Sequence, residues 1–107
     1  MSELSCIHFL KITGQIDGQK TNEFEVTVKF ACALVSHDCI ERSLSAEILF
    51  GDYYYFFMSW STEKALRLFI QSNEYHLVRS AYDALGVLEK IEIGYNAEIK
   101  TIYIYHM

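Results

Sequence analysis

The chain has 107 residues, 51% of them hydrophobic and 21% charged, with a formal net charge of -5. That length makes one domain with an interior large enough to stand without disulfide or metal staples, and the composition is globular rather than disordered. Nine Lys and Arg spread singly along an acidic chain exclude a phosphate-tracking nucleic-acid binder, which draws its affinity from gathered cations.

Leu4 to Thr13 predicts a strand, with Cys6, His8, Leu10 and Ile12 on one side and Ile7, Phe9, Lys11 and Thr13 on the other. Gly14 to Asn22 holds two glycines, an Asp and an Asn, which reads as a hairpin loop. Glu23 to Val35 alternates: Phe24, Val26, Val28, Phe30, Cys32 and Leu34 are apolar, with Glu23, Glu25, Thr27, Lys29, Ala31 and Ala33 between them. That period predicts a half-buried antiparallel strand paired with the first, its Phe24, Val26, Val28 and Phe30 in the core.

Ser36 to Leu44 reads as a turn or one short helix, and Ser45 to Phe50 leads into Gly51-Asp52. A glycine first in a two-residue loop suits a type II′ hairpin. The competing reading is a helix, with Asp38 and Glu41 as a capping box, Ile40, Leu44 and Ile48 on one face, and Gly51 just past its end. The hairpin is preferred. Tyr53-Tyr54-Tyr55-Phe56-Phe57-Met58-Ser59-Trp60 follows, with large rings at both parities. As a strand it has one face for the core and a second that needs covering.

Ser61 to Leu85 predicts helix, with Leu66, Phe69, Ile70, Leu77, Val78, Ala81 and Leu85 as its apolar stripe. Ser61 is the expected cap, with Glu63 in the first turn. A continuous helix would carry Asn73 and Glu74 onto or beside the stripe. A break near Ser72-Asn73 follows, with Asn73 capping a second helix that ends at Gly86. Val87 to Ile93 and Ala97 to Tyr105 predict two final strands joined around Gly94-Tyr95-Asn96. The expected fold is one α+β domain over 1–107: an antiparallel β-sheet of about five to six strands with helices (61–85) packed on one face.

The longest uncharged run, Tyr53 to Thr62, is too short to cross a membrane. The opening Met-Ser-Glu-Leu-Ser-Cys lacks the basic and apolar regions of a signal peptide. Three cysteines without a tight Cys-x-x-Cys pair point to reduced thiols and a cytoplasmic location. The chain contains no proline, so exposed strand edges lack one common protection.

Candidate chemistry is sparse. Cys6-x-His8 and His37-x-Cys39 could each present two ligands from one side of a strand, but their spacing is shorter than that of structural zinc sites, and no metal or other cofactor is expected. His37-Asp38-Cys39 reads as a polar turn rather than a nucleophile with its base. The segment Thr13 to Lys20 lacks phosphate-loop spacing. Glu23 and Glu25 look like part of a solvated face rather than an acid–base pair.

Tyrosines are enriched at interfaces. The candidate partner-binding residues are Tyr54, Tyr103 and Tyr105, with Asp38, Glu41, Glu47 and Asp52, an acidic cluster interrupted by one base, Arg42. The leading expectation is a small acidic protein-binding domain without catalysis. Its most specific form is an inhibitor or immunity-type protein that blocks a basic enzyme such as a nuclease toxin. The partner is then another, basic protein, not nucleic acid or membrane, with self-association through the aromatic strand also open. The alternative is a small-molecule-binding or enzymatic α+β domain, with a cavity between helices and sheet that holds His8 or His76.

Overall fold

A computed structural model describes residues 6–33, 39–47, 52–97 and 102–106. Five strands and three helices follow one another as β1 (Cys6–Ile16), α1 (Thr21–Ala33), β2 (Cys39–Glu47), β3 (Tyr53–Trp60), α2 (Glu63–Ile70), α3 (Asn73–Leu85), β4 (Gly86–Ala97) and β5 (Ile102–His106). The sheet runs β2-β3-β1-β4-β5, with every neighbouring pair antiparallel. The class is α+β, as the sequence predicts. Without β5, and with α2 and α3 counted as one helical arm, the order is the β-α-β-β-α-β of ferredoxin-like folds.

The main correction falls on Glu23 to Val35. Its described part is the helix α1, so β1 does not pair with it. Between them the chain turns at Asp17, whose carboxylate accepts the Gln19 N–H at 3.0 Å and whose carbonyl accepts that of Lys20 at 2.8 Å. The first helical bond, Phe24 N–H to the Lys20 carbonyl, follows at 3.0 Å. Phe24, Val28 and Ala31 are buried while Val26 and Phe30 are about three-fifths exposed, at 60% and 61%. The even-numbered apolar series thus divides between the two sides of a helix. Intrinsic preference for Val26, Thr27 and Val28 favours a strand. Burial of the 24/28/31 stripe against the sheet overrides it.

The deeply buried apolar strand residues share one face of the sheet: Leu10, Ile12 and Ile16 of β1, Tyr54, Phe56, Met58 and Trp60 of β3, and Ile91 of β4. Helical Phe24, Val28, Leu66, Phe69, Tyr75, Val78 and Tyr82 complete that core. The Tyr82 ring lies over Gly14, where an added Cβ would sit 2.6 Å from its Cδ1. Its hydroxyl donates to the carbonyls of Tyr54 at 3.0 Å and Ile12 at 3.3 Å. Phe24 then packs edge-on against Tyr82, with centroids 4.7 Å apart, and against Tyr54 at 4.9 Å.

The remaining elements follow the sequence closely, with shifts at their ends. The aromatic run is the strand β3, and β2 pairs with it, so the strand reading of Ser45 onward prevails over the helix. That strand begins six residues earlier than expected, at Cys39. The expected type II′ turn at Gly51-Asp52 lies partly outside the described residues. The helical arm breaks at the predicted place. Its caps are Thr62 and Ser72, each a residue away from the expected Ser61 and Asn73. Ser72 serves both helices: its hydroxyl donates to the Phe69 carbonyl at 2.5 Å and accepts the Tyr75 N–H at 3.2 Å.

Gly94-Tyr95-Asn96 forms no turn; it continues β4, paired with Phe9, His8 and Ile7 of β1. A register shift between Thr13 and Gly14 leaves Glu89 as an extra residue, with Lys90 opposite Thr13 and Leu88 opposite Gly14. Such a bulge moves the apolar positions of a strand from one parity to the other. It accounts for the three-residue step from Leu88 to Ile91 ahead of Ile93.

Replacement of Phe24 by Ala should cost about 3–5 kcal/mol, whereas Phe30→Ala should change stability by roughly 0.5 kcal/mol or less. Urea unfolding of the two variants checks the helix. A large loss at Phe30 and a small one at Phe24 would restore a strand.

The pKa of Tyr54 is pushed from 10 up to about 12, first by burial and then by the hydroxyl's 2.5 Å hydrogen bond to Glu25. Burial also raises that of Tyr82. A folded-state pKa above the unfolded one stabilises the fold in full below pH 10 and loses that contribution as pH rises toward 12. Stability should therefore fall across this alkaline window, and Tyr54→Phe should flatten the fall in a pH series of melting temperatures.

Candidate functional site

A cleft of about 460 Å³ lies where α2 stands over the N-terminal part of β1 and the C-terminal part of β4. The two strands bring His8 directly across from Tyr95, their rings 5.8 Å apart and tilted by 38°. On its other side His8 pairs with Trp60. That indole packs on Phe69 at 5.3 Å and so seats α2 on the sheet. Leu66, Ile70 and Ile93 give the cleft apolar walls, and Glu63, Arg67, Gln71 and Gly94 complete its lining.

Helix α2 is set by its cap: the Thr62 side chain accepts the Ala65 N–H at 3.1 Å. One turn in, Arg67 Nε donates to Glu63 Oε2 at 2.6 Å. Both side chains are mostly exposed, so water screens the pair. Arg67 nevertheless holds the Glu63 carboxyl below its ordinary range, and the charge of His8 acts in the same direction. The cleft thus joins an imidazole, a guanidinium and a carboxylate to aromatic and aliphatic walls. Its size falls among small-molecule sites, roughly 300–1,000 Å³. The arrangement can bind an amphipathic organic molecule and exchange a proton with it.

Among the described side chains, the residues expected to bind a partner form no single surface. Tyr54 is buried beneath α1 with its hydroxyl on Glu25, because β3 turns its even positions to the helices; it is not a surface residue. Glu41 and Glu47 are exposed on β2, opposite Ser59 and Tyr53, six residues or about 20 Å apart along an extended strand. The Asp52 carbonyl accepts the Ile16 N–H at 2.9 Å. Asp38 lies outside the described residues, as does His37 of the second Cys/His pair. Pairing sets Tyr103 opposite Tyr95 and Tyr105 opposite Ile93; their side chains are outside the description. Among the described residues no three His, Cys, Asp or Glu side chains converge as a metal cage would.

The sheet face away from the helices presents a second set of rings. Phe9 and Phe57 stack with centroids 6.0 Å apart, and Lys11 Nζ lies 5.6 Å from the centroid of Tyr55. The Tyr55 hydroxyl donates to Glu47 at 3.0 Å, and the Glu89 carboxylate near Tyr53 pushes that hydroxyl's pKa up. Ile7 and Val87 are exposed there. The surplus aromatics of the sequence occupy this face at Tyr53, Tyr55 and Phe57.

His8 is visible in the sequence as a cavity histidine. Glu63 and Arg67 show themselves only as an i,i+4 pair on a helix. Tyr95 was hidden, because Gly94-Tyr95-Asn96 has the composition of a turn.

No family model and no curated protein sequence matches the chain. Solved structures share its fold at low identity. A provisionally named antibiotic biosynthesis monooxygenase from Nitrosomonas europaea superimposes with a TM-score of 0.69 at 9% identity, over 100% of this chain and 95% of its own. One of the same provisional name from Caulobacter crescentus gives 0.69 at 17% identity, over 85% and 87%. A conserved protein from Methanosarcina mazei gives 0.66 at 19%, over 94% and 91%.

These likenesses define the chain as an α+β domain of the fold used by those proteins. They correct two expectations. The expectation of a domain without catalysis is set against neighbours of this fold that carry monooxygenase names. The inhibitor or immunity reading has no counterpart in the names of these neighbours, which accord better with the small-molecule alternative. Among the described residues no helix is long and apolar enough to cross a membrane.

Proposed function

We propose that this chain is a small-molecule enzyme domain that binds and oxidises an organic substrate in the His8 cleft. The observation that carries the reading is the position of His8. Its imidazole meets Tyr95 in a cleft with apolar walls, where a bound molecule has a proton acceptor beside it. Imidazole is the side chain enzymes use most often to move protons. The names of the structural neighbours support monooxygenation as the reaction class. In the form that suits a single base, an activated methylene gives one proton to His8 and the resulting carbanion passes electrons to O₂. Overall the carbon exchanges two hydrogens for one oxygen, and the second oxygen atom leaves as water. The two C–H bonds supply all the electrons.

Aromatic compounds with an activated methylene are the test substrates, with oxygen uptake as the readout. His8→Asn should slow turnover by about 10²-fold while leaving the melting temperature unchanged. An unaltered rate in that variant removes His8 from the chemistry. No uptake with any such compound removes the reaction class.

The open sheet face supports a second reading, of partner rather than chemistry: a second copy of this chain covers it. Exposed Ile7 and Val87 lie on a face where Lys11 stands among Glu47, Glu89 and the tyrosines. A surface of mixed sign complements itself, whereas a strongly basic partner calls for uniform acidity. Sedimentation should show a dimer, and the double variant Ile7→Asp, Phe57→Asp should sediment as a folded monomer. A wild-type monomer at tens of micromolar would refute the pairing.

A further inference from the structure

We propose that Glu63 holds the place of a ligand carboxylate on Arg67, so that the cleft takes a planar aromatic acid. The inference rests on the cleft being the small-molecule site. It starts from charge. The protein carries 14 acidic and nine basic residues, yet in the cleft lining one guanidinium, Arg67, stands against one carboxylate, Glu63. Arg67 Nε already holds a carboxylate oxygen at 2.6 Å, in the geometry it would use for a ligand.

The bond is easy to exchange. Both side chains are mostly solvent-exposed, at 69% for Arg67 and 56% for Glu63, and exposed pairs are weakly held. A ligand tied down by other contacts competes well with such a tether, because part of its ordering cost is already met. The cleft supplies those contacts. The aliphatic walls at Leu66 and Ile93 suit a flat apolar body, and the rings of His8 and Tyr95 stand 5.8 Å apart beside it. One end of the molecule is then held by charge and the other by apolar and aromatic packing.

Three probes test this on the full chain: 2-naphthoate, its methyl ester and 2-naphthylmethylammonium. Calorimetry measures affinity, and the Gly94 amide signal in an NMR titration reports on the cleft. The acid should bind about tenfold or more tighter than the ester, and Arg67→Met should bring the two together. The sharper expectation concerns Glu63→Gln. Removal of the competing carboxylate should tighten the acid several-fold and leave the ester unchanged, which a purely structural role for Glu63 would not produce. Equal affinity of acid and ester, tighter binding of the ammonium, or weaker binding of the acid by Glu63→Gln would each overturn the carboxylate inference. If the ester still shifts Gly94 in those cases, the cleft stands as the binding site. If no probe moves Gly94, the site and the inference fall together.

Discussion

The hydroxyl of Tyr82 joins one helix to two strands at once, and the rest of the fold is arranged around it. It donates to carbonyls of β1 and β3 while its ring occupies the space that Gly14 leaves open. A buried hydroxyl without partners is costly; here it has two. Helix α3 is therefore held against the middle of the sheet at a fixed depth. Phe24 leans on the same ring, so α1 takes its position from α3. Little freedom remains for α2, which follows Ser72 into place and rests on Trp60 through Phe69. The cleft is a by-product of this order. A helix of eight residues beside the longer α3 leaves the His8 end of the sheet incompletely covered.

Most of the element order could be read in the sequence, and the exceptions have physical causes. The broken helical arm announces itself because Asn73 and Glu74 would spoil an apolar stripe. Strand β3 announces itself through ring density and the absence of any helix signal. Helix α1 does not. Its Phe24, Val26, Val28 and Phe30 satisfy a period of two, while Phe24, Val28 and Ala31 satisfy a helical period within the same thirteen residues. Local pattern has no means of choosing between them. The choice is made by Tyr82 and Tyr54, distant in sequence, which offer Phe24 a socket that suits a helix.

The candidate site was legible in fragments. A histidine on the core side of the first strand is suggestive only when something opens in front of it. Its neighbours come from α2 and β4, more than fifty residues away, and composition places one of them, Tyr95, in a turn. The acidic residues that attracted attention are spread along an edge strand and its surroundings, as solvated side chains are. The aromatic surplus was a truer signal. It has two destinations, with Tyr54 inside the core and Tyr53, Tyr55 and Phe57 on the opposite face.

The bulge in β4 makes Glu89 the residue of that strand with no counterpart on β1, while its neighbours keep theirs, Lys90 opposite Thr13 and Leu88 opposite Gly14. Loss of Glu89 would therefore close the strand into a regular ladder. Leu88 and Ile91 would still face the helices, and Gly86 would still meet β1 where the Gln15 carbonyl leaves no room for a side chain. In a lineage of such chains, the side chain at this position would drift freely, and a one-residue gap in the alignment would settle here before anywhere else in the strand.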